Sequence, residues 1–280
     1  MRRAVWGRMQ PGLEEADKLI SLKSDINAMF NSPILGYNSK EGIVYQFWAN
    51  RDSHDVNYFD PKTDYAPTTA ISSVSWDDSN FPNIEGFGVW AAKCNFTMGP
   101  DGKMYSRMLG GNLVRIDVEN ARGENLTNGD LVGTKDGSAY GLVFDPQDEN
   151  VFYFSNNDKH CIYKYDLRTK EWACWAGQEG KSGYLDGPIG QAMFNKPGQM
   201  CVDSEGNIIL TDTENHCIRK ITMSTGYVST LAGKPQNSGY VNGSAEDAQF
   251  KKPLGICIDN DDVMYIGDSE NRAIRRLAVE

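Results

Sequence analysis

Lysine and arginine never run longer than two in succession, and they are outnumbered 28 to 38 by aspartate and glutamate, for a formal net charge of −10. A nucleic-acid footprint needs a concentrated basic surface, so that class of partner is excluded, and so is electrostatic docking on an anionic membrane. No apolar run approaches the roughly 18 residues of a membrane-spanning helix. Histidine is scarce, with three in 280 residues, and none of the six cysteines falls in a CxxC spacing. Zinc-knuckle and dithiol redox motifs are therefore without support. Met1-Arg2-Arg3 resembles the start of a signal peptide, but no apolar stretch of about 7–15 residues follows. That leaves a cytoplasmic protein and a mature or trimmed one both open. What the sequence does have is 40% hydrophobic residues and 28 glycines, enough for a core and for many tight turns.

The most informative feature is self-similarity. Phe194 through Ile221 aligns without a gap on Phe250 through Leu277, at an offset of 56 residues. Pro197, Cys201, Asp203, Asp212, Asn215, Ile218 and Arg219 meet Pro253, Cys257, Asp259, Asp268, Asn271, Ile274 and Arg275. Upstream, Gly183-Tyr184-Leu185-Asp186-Gly187 meets Gly239-Tyr240-Val241-Asn242-Gly243, and Trp175-Ala176-Gly177 meets Leu231-Ala232-Gly233. A third copy contains Gly141-Leu142-Val143-Phe144-Asp145 and His160-Cys161-Ile162. A fourth runs from Phe96 through Asp101-Gly102 to Ile116-Asp117, and a diverged fifth runs from Ala28 to Asp60.

Each copy reads as short strands. Apolar runs such as Ile208-Ile209-Leu210 are bounded by Asp, Gly and Asn turns, and Asp203-Ser204-Glu205-Gly206 supplies tight-turn chemistry. Four strands per unit, repeated, is the pattern of an all-β propeller blade. Five units of 56 account for the length of the chain, so five blades are visible. Ala4-Val5-Trp6-Gly7 resembles Thr230-Leu231-Ala232-Gly233, which predicts that an N-terminal strand completes the last blade and leaves no open sheet edge. Residues 1–280 are expected to form one domain. Leu19, Leu22, Ile26 and Met29 recur at spacings of 3, 4 and 3, a helical stripe that predicts a short helical insertion over 13–30.

Pro253 through Asp259, followed by Tyr265 through Arg275, resembles the NHL repeat. Leu231-Ala232-Gly233 and Gly239 through Gly243 resemble the longer NHL units of Bacteroidetes cell-envelope proteins that often follow an IPT/TIG domain. The resemblance implies a propeller of usually six blades, so a sixth would belong to a longer, N-terminally trimmed chain. It also implies a cell-envelope or extracellular setting.

Several repeated residues look like sites when taken singly. His160 and His216 occupy equivalent positions, too far apart to share a metal ion. Asp212 and Asp268, with Asn156 in the third copy, recur after the second strand. There the carboxylate is expected to accept backbone N–H groups in the turn towards Asn215 or Asn271. The cysteines repeat as well and are expected to be small buried apolar residues. No catalytic residue, metal ligand or cofactor is assigned. The aromatics of the Gly-rich connections remain. Tyr184, Asp186, Tyr240 and Asn242, with Trp90, could offer ring faces and hydrogen-bonding groups to a sugar. Equally, the rings could wedge between blades.

The expected function is a non-catalytic binding or scaffold propeller, with the resemblance implying a glycan or a partner protein as ligand. The alternative is a metal-dependent hydrolase or lyase of the NHL propeller type. That alternative requires His, Glu or Asp on inner strands, where Gln199-Met200-Cys201-Val202 and Gly255-Ile256-Cys257-Ile258 supply none.

Overall fold

The computed structural model describes residues 34–38, 43–47, 56–59, 62, 67–71, 97–107, 113–117, 122–126, 141–259 and 261–278. The expected N-terminal closing strand and the 13–30 helix lie outside these residues, as does Trp90.

The described residues form five antiparallel sheets. The first comprises β1 (Ile34–Asn38), β2 (Ile43–Phe47), β3 (Val56–Phe59) and β4 (Pro67–Ile71), and the second β5 (Thr97–Met98), β6 (Met104–Arg107), β7 (Leu113–Asp117) and β8 (Arg122–Asn125). The third comprises β9 (Leu142–Phe144), β10 (Val151–Asn156), β11 (Cys161–Asp166) and β12 (Trp172–Gly177). The fourth holds β14 (Pro197–Val202), β15 (Ile208–Asp212), β16 (Cys217–Thr222) and β17 (Tyr227–Ala232), with the short β13 (Gly187–Pro188) added beyond β17. The fifth holds β18 (Pro253–Ile258), β19 (Met264–Asp268) and β20 (Ala273–Leu277). Apart from β13, the strands within each sheet follow chain order.

The first strands of consecutive sheets pack on one another: β1 on β5, β5 on β9, β9 on β14 and β14 on β18. That serial contact of inner strands, with each sheet a meander running outward, is a β-propeller. The core is correspondingly divided into slabs between sheets, because side chains alternate across each strand. Phe152 and Phe154 face the second sheet with Leu113 and Tyr105, whereas Val151 and Tyr153 face the fourth with Met200, Ile208 and Leu210. Ile209, Ile218, Ile256 and Ile266 fill the next slab. Trp175 packs on Tyr153 at a ring distance of 4.2 Å, which is the wedge expected of an inter-blade aromatic.

The outer strand pair carries one extra residue at the same place in the third and fourth sheets. Register shifts between Ile162 and Tyr163 opposite β12, and between Ile218 and Arg219 opposite β17. The strand then ends in Ala-Gly for a steric reason. Gly177 and Gly233 have φ of +93° and +98°, and a Cβ on either would sit about 3 Å from the Phe194 or Phe250 ring and from the carbonyl of His160 or His216. Only glycine suits that site.

Candidate functional site

The connection from one sheet to the next is a strap. After β12 the chain crosses to the outer edge of the fourth sheet, where Gly187 and Pro188 pair with Val228 and Tyr227. The Ile189 N–H then donates to the Gly226 carbonyl at 2.9 Å before the chain turns inward to β14. The strap thereby covers an edge that would otherwise be open. A second strap repeats the inner part of this course, with Val241 bridging Gln249 as Leu185 bridges Met193.

Each strap is pinned by a buried arginine. Arg219, on β16, is fully buried and lies between the rings of Tyr184 and Phe194, at 4.8 and 5.2 Å. Its guanidinium donates to Asp212 at 2.7 Å, to Asp186 at 2.6 Å, and to the Leu185 and Met193 carbonyls at 3.0 and 3.2 Å. Arg275 repeats the arrangement on β20. It lies between Tyr240 and Phe250 at 5.0 and 4.9 Å, and donates to Asp268 at 3.0 Å and to the Val241 and Gln249 carbonyls. A buried charge is tolerated when it is paired and hydrogen-bonded; both terminal nitrogens of Arg219 are so held, and its Nε is left without a partner among the described residues. Burial works against the Arg219 charge, but Asp212, Cys217 and Asp186 outweigh it and raise the pKa. Burial likewise pushes the Asp212 carboxyl up to about 6, against the pull of Arg219 and the Asn215 amide.

The repeated aspartates differ in detail from the sequence expectation. Asp212 does accept a backbone N–H, but from Asn195 at the end of the strap, at 2.8 Å, while Asn215 contributes its side-chain amide at 2.9 Å. Asp268 does the same with Lys251 and Asn271. The turn is reached only through the amide because the carboxylate points back at the strap. In the third sheet Asn156 takes the turn N–H of Lys159 at 3.1 Å, as expected. There the arginine position is occupied by Tyr163, so acid and base are replaced together.

The histidines hold straps too. The Nδ1 of His160 accepts the Lys196 N–H at 3.1 Å, and that of His216 accepts the Lys252 N–H at 3.2 Å. The expectation for cysteine holds at Cys161 and Cys217, which are buried, and needs correction at Cys257, which is exposed. Cys257 alternates with Ile256 and Ile258, the residues that fill the slab shared with the fourth sheet, so it faces the opposite side of β18.

The four described connection residues fall into two pairs. Tyr184 is half-buried against Arg219, and its hydroxyl meets the Thr230 hydroxyl at 2.7 Å. Burial raises its pKa. Asp186 holds Arg219 and accepts the Thr230 N–H at 3.1 Å. Both are engaged by the strap. Tyr240 is 56% exposed, with one ring face on Arg275 and no partner for its hydroxyl among the described residues. Asn242 is exposed and its amide has no partner among the described residues. Leu185 and Val241 add exposed apolar surface on the same straps. The arrangement offers a ring held flat by a buried cation, an adjacent free amide and apolar flanks. Sequence reasoning missed the buried arginines. Their signal was the repeated Ile218-Arg219 and Ile274-Arg275, a charge placed within an apolar strand.

The NHL repeat model matches residues 194–221, the span from Phe194 to the end of the β16 core. The chain is a β-propeller that carries an NHL repeat. Among solved structures, the propeller is similar to a structural genomics protein of unknown function from Bacteroides thetaiotaomicron. The two are 24% identical, with a TM-score of 0.72, over 88% of this chain and 58% of that one. An auxiliary nutrient binding protein from the same species is 22% identical, with a TM-score of 0.65 and the same coverage. Among curated proteins, SUPPRESSOR OF QUENCHING 1, chloroplastic, of Arabidopsis thaliana is 25% identical over 271 residues, 90% of this chain. The propeller spans a quarter of that relative's length.

Proposed function

We propose that the propeller is a non-catalytic binding module whose ligand is a glycan at a bacterial cell envelope, and that residues 1–280 form a single domain. The observation carrying this reading is the presentation of Tyr240. Its ring is backed by the buried Arg275 and open on the other side, beside the unpartnered amide of Asn242. A rigid aromatic face next to a hydrogen-bonding amide suits a sugar ring, which has an apolar face and peripheral hydroxyls. Similarity to a Bacteroides nutrient-binding protein supports the same reading. Trp90 and the strap pair Tyr184 and Asp186 belong to the proposed site, the latter two as its support.

A glycan array with the purified propeller tests this. Binding to a defined set of glycans, lost in Tyr240→Ala and weakened in Asn242→Ala, is expected. No binding to any glycan would leave a partner protein as ligand. A stoichiometric transition metal in the purified protein would favour the hydrolase or lyase reading.

A further inference from the structure

The third sheet contains a pair of thiols that the repeat does not reproduce. Cys161 opens β11 and Cys174 lies on the neighbouring β12. Tyr163 is the register partner of Cys174, and Gly177 that of Cys161. The extra residue on β12 falls at Trp175, between those two pairings. Both cysteines border the same core slab, with Cys161 fully buried and Cys174 half-buried. The Cys174 thiol donates to the carbonyl of Gly177 at 3.7 Å, and Gly177 is the residue directly opposite Cys161, so the two side chains lie side by side. The next sheet is an internal control. Cys217 repeats Cys161, but Thr230 stands where Cys174 would be, and its hydroxyl is engaged by Tyr184.

We propose that Cys161 and Cys174 form a dithiol–disulfide pair that reacts with small-molecule disulfides of the oxidised glutathione class. Cys174 is the attacking thiol because it is the one solvent reaches. The neighbouring Cys161 side chain also lowers its pKa, whereas Cys174 and burial raise that of Cys161. A thiolate is the nucleophile in such exchange. The Cys174 thiolate attacks one sulfur of the reagent, giving a mixed disulfide and releasing one reagent thiolate. Cys161 then attacks the Cys174 sulfur as its own proton is lost to solvent or to the second leaving thiolate. Two protein thiols and one reagent disulfide yield one protein disulfide and two reagent thiols. Tyr163 borders the same core slab as the two cysteines and donates to Glu179 at 2.7 Å.

The test treats the native, reduced protein with oxidised glutathione, blocks remaining thiols, and maps tryptic peptides without reduction. Lys159, Lys164, Lys170 and Lys181 place the two cysteines in separate peptides, 160–164 and 171–181. The expected result is a loss of two free thiols and a linked 160–164/171–181 peptide that dithiothreitol separates. In Cys161→Ser, glutathione should remain on Cys174 with no linkage. Recovery of both peptides unlinked from wild-type protein would overturn the proposal, as would linkage of Cys161 to Cys217 or Cys201 instead. The wild-type map decides the question without any variant.

Discussion

Arg219 and Asp212 are both fully buried and 2.7 Å apart, so removing Asp212 takes away the buried counter-charge and leaves the arginine only the partly exposed Asp186. Asp212→Ala is expected to destabilise the propeller by about 3–5 kcal/mol, the range for breaking a buried pair. Chemical denaturation measures it. His160 makes a different prediction. Its pKa is held below 6.5 by burial first and the Lys196 charge second, with Asp158 opposing. Its folded pKa thus lies below the unfolded one, so its contribution is complete above pH 6.5 and is lost as pH falls through the folded value. Protonated Nδ1 can no longer accept the Lys196 N–H. Thermal melts should therefore show a loss of stability below pH 6.5 that is smaller in His160→Gln. Neither residue was assigned these partners from sequence, because Asn195 and Lys196 arrive from a strap whose path only the fold defines.

At the scale of one element, strand positions and turns were legible. Ile208-Ile209-Leu210 and Met264-Tyr265-Ile266 lie on the second strands as read, with Val263 just ahead of β19, and Tyr227 through Leu231 lies on the fourth strand. What was not legible was pairing across the repeat. Gly187 and Pro188 look like turn residues yet form β13, because their partner, β17, lies some 40 residues on. Nor did the 56-residue offset expose the Cys161–Cys174 pair, since its second member has no equivalent. The repeat does yield one prediction here. The third sheet carries Tyr163 and Asn156 where the fourth carries Arg219 and Asp212. Introducing Arg219→Tyr with Asp212→Asn should therefore cost much less than either change alone, a coupling readable in a double-mutant cycle. Gly177→Ala, by contrast, should cost about 1–3 kcal/mol, since φ of +93° is strained for any side chain.

Across the whole molecule, serial packing of inner strands and straps over outer edges make the sheets one propeller. Stability then resides in slabs between sheets, and the straps are free to differ on their outer surface. That division separates Tyr184 from Tyr240, which occupy the same repeat position. Tyr184 is enclosed by Arg219 and Thr230, while Tyr240 keeps an open face. The sequence could pair them but not rank them, because their difference lies in exposure. The most direct measurement is glycan affinity by calorimetry, for a glycan bound on the array, comparing Tyr240→Ala with wild type at matched thermal stability. Loss of binding by at least about tenfold (roughly 1.4 kcal/mol), with the melting temperature lowered by no more than a few degrees, is expected. Unchanged affinity in Tyr240→Ala would contradict the assignment of the strap face as the binding site.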